Sequence, residues 1–378
     1  MTVGVYVHIP FCQSHCYYCA FYSAVERADV YDTYLDALLR EMQARAEDIA
    51  GATVDSIYLG GGTPSLFGSE RIGVLLAACR RFFTVSADCE VTMEANPASL
   101  SVDDYRQYSR VGVNRLSLGV QSFSDCHLQR VGRLHTAHEA RQAVRRAYRA
   151  GLTDISIDLM YGLPEQSAAS FRHSLLTAVH LPVSHISVYG LTVEEGTYFG
   201  RLQEQGRLRL PNEAEEWKMY QDMCRILPHY GFERYEIANF TRHGKRSRHN
   251  QKYWRYMPYL GLGAAATSFL GNRRRTNVAD WKQYVAGSTS SFSPCETETL
   301  TGEQLAEEYV FMHLRTREGV DTAAFARRFG IPFRDCYPPA VVAGLQAEGL
   351  LIQSDSTLRL TPRGMALANR VMAKFILT

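Results

Sequence analysis

The sequence predicts an α/β protein in which a repeated βα core is followed by a small C-terminal α+β module. Between Val3 and about Thr192, short β-rich runs alternate with amphipathic helical runs, the pattern of parallel βα units. Polar and glycine-rich motifs recur at or just beyond the expected strand ends, where open and barrel-type α/β folds carry function. A Ser/Thr/Pro-rich stretch near the end of the chain then separates a group of three helical runs and two short β-like runs. With 378 residues, 46% hydrophobic and 21% charged, the chain can bury one large core and a smaller one, and a disordered chain is not expected.

Six strands are expected, at Val3–Ile9, Ser56–Gly60, Glu90–Ala95, Arg115–Val120, Asp154–Leu159 and His185–Gly190. Helical runs fall between them at Asp29–Ile49, Glu70–Phe83, Val102–Ser109, Ala137–Ala150 and Ser167–Val179. Six such units form either an open doubly wound sheet or a partial barrel. A helix follows over Asn212–Pro228 and a strand over Tyr235–Phe240. The expected division is a core over residues 1–200, an extension over 201–286, a linker over 287–295 and the C-terminal module over 296–378.

The first strand runs into His8-Ile9-Pro10-Phe11-Cys12-Gln13-Ser14-His15-Cys16-Tyr17-Tyr18-Cys19, which places three cysteines at the spacing C-x3-C-x2-C. Soft thiolates gathered on one short loop suit zinc or an iron–sulfur centre. Structural zinc closes with four ligands, and no neighbouring cysteine completes such a set; a 4Fe-4S cluster held by three leaves one iron open. The six remaining cysteines are scattered singly, which argues against a disulfide framework and for a reducing, cytoplasmic setting.

This cysteine spacing resembles the signature of the radical S-adenosylmethionine (SAM) enzymes, which implies a partial (βα)6 barrel whose open iron binds SAM. Gly60-Gly61-Gly62-Thr63 follows the second strand and lacks the lysine of a phosphate-binding P-loop. Alone it is a tight turn; beside the cysteine loop it is similar to the family's glycine motif. Within the subgroup of oxygen-independent coproporphyrinogen oxidases and their relatives, the resemblance assigns Tyr6 and Tyr18 to the flanks of the cluster. It assigns Gly61, Gly62, Thr63, Glu94, Gln121, Arg133 and Asp158 to SAM. The plain alternatives are helix caps for Glu94 or Asp158 and a surface charge for Arg133.

Beyond the sixth unit, a basic loop from Arg242 to Arg248 leads into His249-Asn250-Gln251-Lys252-Tyr253-Trp254. Imidazole, aromatic rings and guanidinium groups in one stretch have the chemistry to hold haem iron, macrocycle and propionates. Spacing alone favours a core histidine packed among rings. The string resembles the H-N-x-x-Y-W motif of haem chaperones in the same subgroup, which implies that His249, Asn250, Tyr253 and Trp254 contribute to a haem site. Phe21 stands where oxidase-type relatives carry a further cysteine, and the oxidases' N-terminal extension is not expected here. Thr267 departs from the chaperones' pattern, where a histidine is common.

The C-terminal helical runs, near Gln304–Leu314, Thr322–Phe329 and Pro339–Glu348, precede β-like runs at Leu350–Gln353 and Leu358–Leu360, in the manner of a winged helix. Residues 296–378 hold nine Lys/Arg and ten Asp/Glu, so the basic excess of a DNA reader is missing and no nucleic-acid partner is expected. A net charge of +2 gives no global field, and no membrane-spanning run is present. The resemblance implies a haem chaperone carrying a SAM-binding 4Fe-4S cluster, with haem or a related tetrapyrrole and a haem-accepting protein as partners. Its rivals are a coproporphyrinogen oxidase and, with weaker support, a nucleic-acid-binding regulator.

Overall fold

A computed structural model of the chain describes residues 1–98, 100–288 and 296–376. Residues 289–295 of the expected linker lie outside the described residues. Strands β1 (Thr2–Ile9), β2 (Thr53–Gly61), β3 (Thr84–Ala95), β4 (Arg115–Gln121), β5 (Ile155–Tyr161) and β6 (His185–Gly190) pair in parallel and in sequence order. An order of 1-2-3-4-5-6 never reverses, so the sheet is the wall of a partial barrel and not a doubly wound sheet. The apolar alternation of β1 is buried on both faces, with Val3, Val5, Val7 and Ile9 fully inaccessible, as a central parallel strand requires.

Helices α1 (Tyr31–Ala44), α2 (Ser69–Phe82), α3 (Val102–Val111), α4 (Asp125–Arg130), α5 (Ala137–Arg149) and α6 (Ala168–Val179) cover the sheet. Capping boxes at Ser101/Asp104, Thr136/Glu139 and Ser167/Ser170 start three of them by satisfying otherwise orphaned amides. The expected single helix over Asp29–Ile49 is broken. It ends at Ala44, where the Arg45 guanidinium turns to the Gly261 carbonyl, and a 3-10 turn follows over Ala46–Ile49. Helices α7 (Tyr198–Glu204) and α8 (Glu213–His229) complete this face.

The sheet extends well beyond the repeat. The expected strand Tyr235–Phe240 is instead two short ones, β7 (Glu233–Arg234) and β8 (Asn239–Thr241). Between them the Glu236 carboxylate accepts from Ala238 N at 2.7 Å and the Arg234 side chain takes the Glu236 and Ile237 carbonyls, which fixes a turn. After α9 (Arg248–Trp254), β9 (Tyr259–Leu262) joins the free edge of β1 in parallel. The strands β10 (Thr267–Leu270), β11 (Arg273–Thr276) and β12 (Glu296–Thr299) follow antiparallel, for twelve among the described residues, with α10 (Trp281–Gly287) packed beside α1.

The C-terminal module contains α11 (Gly302–Leu314), α12 (Thr322–Phe329), α13 (Phe333–Cys336), α14 (Pro339–Ala347) and a three-stranded sheet of β13 (Val320–Asp321), β14 (Leu351–Ser354) and β15 (Thr357–Leu360). Two further short helices close the described chain. Its core, centred on Val310, Phe325, Val371 and Phe375, reaches back to Tyr256 and Phe269 of the extension. Phe325 is fully buried among Tyr309, Phe329, Phe333 and Tyr337. Phe325→Ala is expected to cost about 3–5 kcal/mol, read as a fall in the urea midpoint, because a ring-sized void is left in a fixed shell.

Candidate cluster and SAM site

The loop after β1 carries Cys12, Cys16 and Cys19, all free thiols and all partly exposed. Backbone bonds hold its flanks: Cys12 N donates to Ala24 O, Tyr17 N to Val131 O and Cys19 N to Cys16 O. The glycine turn after β2 is tied to the same loop, with Gly62 N donating to Ile9 O at 2.9 Å and Thr63 N to Phe11 O at 2.8 Å. A Cβ on Gly62 would lie 2.6 Å from Phe11 O and 2.7 Å from the Pro10 carbonyl, and Gly61 holds φ at +114° beside the His8 ring. With the Gly61 N–H on Glu94 Oε2 at 3.2 Å, all three amides of the turn are spent within the protein. Carbonyl oxygens remain to meet an ammonium group.

Polar groups converge on the sulfurs. Arg133 Nη1 donates to Cys16 Sγ at 3.3 Å, and Thr63 Oγ1 to Cys12 Sγ at 3.7 Å. Arg133 Nη2 is anchored on Gly119 O at 2.6 Å beside Gln121, whose φ of 65° sits at a break in the β4–β5 register. Arg133 is no surface charge: its Nε is shielded and unpartnered, and among the described residues no carboxylate pairs with it. A shielded guanidinium whose one side-chain partner is sulfur calls for negative charge at the thiols, which ligated thiolates supply. Burial pushes the Cys12 and Cys19 thiols up in the metal-free chain. Among the described residues no three His, Cys, Asp or Glu side chains form a site for a single metal ion, whereas a cubane accepts a more widely spaced set of thiolates.

Acidic groups recessed at neighbouring strand ends face this loop. Glu94 accepts from Tyr58 Oη at 2.7 Å, and desolvation, with Asp158 adding to it, pushes its carboxyl up to about 7. Asp158 is pushed up to about 6, again chiefly by desolvation, against hydrogen bonds from Ser187 and Ser117. Neither caps a helix. Tyr6 lies beside Tyr58 and bonds His8 Nδ1 through its hydroxyl at 3.0 Å, while Tyr18 packs with Val131 and Met160. Two carboxyls, glycine carbonyls and aromatic faces within reach of the cysteine loop suit a ligand that carries both an ammonium and a second cationic centre. Tyr58, which links β2 to Glu94, was not singled out from sequence; its place opposite Tyr6 in the β1–β2 register is the signal that could have found it.

The second group of expected residues lies elsewhere. Helix α9 is capped by Ser247 Oγ on Asn250 N and packs against β1 and β2, away from the cysteine loop. His249 is wholly buried, with Nδ1 against Ser56 Oγ at 3.1 Å and Nε2 against Tyr253 Oη at 2.9 Å, and desolvation lowers it to about 3. Both ring nitrogens are therefore occupied, and the residue serves packing in this arrangement. Trp254 lies under the Arg315 guanidinium at 4.6 Å. The basic loop is also committed: Arg242 holds the Val183 and Leu181 carbonyls, Arg246 pairs with Glu318 and Arg248 with Asp88. Thr267 Oγ1 meets Thr276 Oγ1 at 3.0 Å across the β10–β11 hairpin.

Residues 6–178 match the Radical SAM superfamily and residues 300–367 the HemN C-terminal domain. The chain is 36% identical to the heme chaperone HemW of Bacillus subtilis over 375 residues, which span 99% of each chain. The chain belongs to the HemW family. A second HemW, from Mycobacterium tuberculosis, is 35% identical over 98% of this chain and 93% of its own. Among solved structures, the radical SAM coproporphyrinogen III oxidase HemN of Escherichia coli superposes with a TM-score of 0.87 at 26% identity, covering 99% of this chain and 90% of that one. Membership in this radical SAM family implies a 4Fe-4S cluster and SAM, and the donors around Cys12, Cys16 and Cys19 fit both.

Serine at Cys12, Cys16 and Cys19 together is expected to reduce iron and sulfide to background after reconstitution, while replacement of Cys79, Cys89, Cys126, Cys224, Cys295 and Cys336 together leaves both near wild type. Glu94 binds its proton more tightly folded than unfolded, so its contribution to stability is complete below about 4.5 and is lost as pH rises towards about 7. Urea midpoints of the metal-free protein should fall across that window, and Glu94→Gln should flatten that part of the profile.

Proposed function

We propose that this protein binds haem and delivers it to haem-requiring proteins, and that the SAM-binding 4Fe-4S centre is carried on the same barrel. The observation that carries the reading is the likeness to HemW chaperones over almost the whole chain, with the HNQKYW helix packed on the two strands that end in the cysteine loop and the glycine turn. Ser56, Gly4 and Tyr58 contact His249, and Tyr58 in turn holds Glu94, so the helix and the SAM pocket share β2 as a common wall. Cys12, Cys16 and Cys19 would hold the cluster; Gly61, Gly62, Thr63, Glu94, Gln121, Arg133 and Asp158 would line the SAM pocket, with Tyr6 and Tyr18 at its sides. The cluster supplies an open iron for SAM when bound. Thiols at the surface of this loop suit a reducing cytoplasm; among the described residues no helix is long and apolar enough to cross a membrane.

The oxidase reading has one specific observation behind it, the superposition on HemN along nearly the whole chain. Anaerobic incubation of the reconstituted protein with reductant, SAM and coproporphyrinogen separates the two. The chaperone is expected to show a saturable Soret band on titration with haem and no formation of protoporphyrinogen. Turnover of coproporphyrinogen without saturable haem binding would transfer the assignment to the oxidase.

A further inference from the structure

The trailing end of α9 and the residues after it face the C-terminal module across a cavity of about 320 Å³; a second, of about 350 Å³, adjoins it at Arg246 and Glu318 and is otherwise lined by the C-terminal module. Each volume lies in the range of small-molecule sites. The first has apolar and aromatic walls from Trp254, Met257 and Tyr309, and it also contains His313. The second brings Arg246, Arg317 and Arg359 together against the single carboxylate of Glu318. The compartment is thus amphipathic: rings and an imidazole line the first cavity, with Arg246 and Arg255 at its wall, and guanidinium groups dominate the second.

The imidazole of His313 is prepared as a ligand. Its Nδ1 lies 2.8 Å from Tyr309 O, and a carbonyl only accepts, so the proton is on Nδ1 and the lone pair on Nε2. Among the described residues Nε2 has no hydrogen-bond partner. The Tyr309 ring stacks on the imidazole at 3.8 Å and 28°, which fixes its plane. Burial keeps the ring neutral, assisted by Arg328 and Arg255. This contrasts with His249, whose two nitrogens are both occupied. Trp254 adds an independent sign, because its Nε1 is shielded and lacks a partner on the wall of the same cavity. The acidic groups at hand are already engaged: Asp321 caps α12 through Ala323 N and Ala324 N, and Glu318 pairs with Arg246. Among the described residues Arg317 pairs only with the exposed Glu233, at 3.7 Å, and Arg359 has no ion-pair partner.

We infer that this double cavity is the haem-holding site, with His313 Nε2 as the iron ligand, Tyr309 holding the imidazole in place, Trp254 beside the macrocycle, and Arg317 and Arg359 facing the propionates. The chemical class is a flat metalloporphyrin with two carboxylates at one edge, which matches a ligand-bearing aromatic end joined to a cationic one. The inference rests on the haem-binding reading above and gives it a place distinct from the buried face of α9.

The test is a haem titration of the reconstituted full-length protein, followed by absorption spectroscopy, on wild type, His313→Ala and the double variant Arg317→Ala/Arg359→Ala. Cluster content and thermal melting serve as controls of folding. His313→Ala is expected to shift the Soret band and weaken binding about tenfold or more, with added imidazole restoring the wild-type spectrum. The double variant, altered only at exposed side chains, should keep the wild-type Soret position and weaken haem binding about three- to tenfold. It should bind the haem dimethyl ester no worse than wild type does. Saturable wild-type binding with spectrum and affinity unchanged in His313→Ala overturns the site and leaves haem binding standing. Equal losses for haem and its ester in the double variant overturn the propionate assignment. Absence of saturable binding by wild type overturns the haem-binding reading and this inference together.

Discussion

The site depends on how closely two loops approach at the ends of β1 and β2. Two backbone bonds, from Gly62 and Thr63 to Ile9 and Phe11, set the distance between the turn and the cysteine loop, and no side chain fits between them. Everything polar is then placed by reference to that contact. Glu94 reaches the turn through Gly61 N, Thr63 reaches Cys12 through its hydroxyl, and Arg133 spans from Gly119 to Cys16. A parallel sheet makes this possible because consecutive strands end side by side with nothing hydrogen-bonded above them.

Charge at the site is arranged in advance of any ligand. Among the described residues Arg133 makes no ion pair with a carboxylate and Glu94 and Asp158 make none with a cation; burial pushes both acids towards protonation, against the pull of Arg115 and Arg133 on Asp158. Each imbalance is costly in an empty pocket and is relieved by a ligand of opposite sign, so the same groups that weaken the bare fold hold it when loaded. The tyrosines between these acids and α9 connect the pocket to the body of the barrel through β2, with Tyr58 touching both Glu94 and the His249 ring.

Much of this was legible in the chain. The strands and helices of the repeat show as alternating β-rich and amphipathic runs, and the cysteine triplet sits on a short loop whose position needs no tertiary information. What escaped reading depends on partners far away in sequence. Strands β9 to β11 hold four residues each, too few for a period to show, and β9 is recruited by the free edge of β1. The basic loop reads as a set of free arginines until Val183, Glu318 and Asp88 claim them. His249 carries the strongest local motif, and its burial among rings is what spacing alone favours; what the chain does not show is that Ser56, 193 residues away, takes one of its ring nitrogens. His313, with no motif around it, lines a cavity.

The pairing of β1 with β9 also governs how the protein comes into being. Gly4 lies opposite Tyr259, a separation of 255 residues, and on its other side β1 needs β2. At 5–20 residues per second, roughly 13–50 s pass between synthesis of the first strand and arrival of its outer neighbour. During that interval the cysteine loop hangs from a strand with one open edge, and contacts of such long range form slowly even once the chain is complete. The nascent polypeptide therefore presents its three thiols to the cell well before the wall that steadies them is closed, which makes iron delivery and protection from oxidation a matter of timing during translation as much as of affinity.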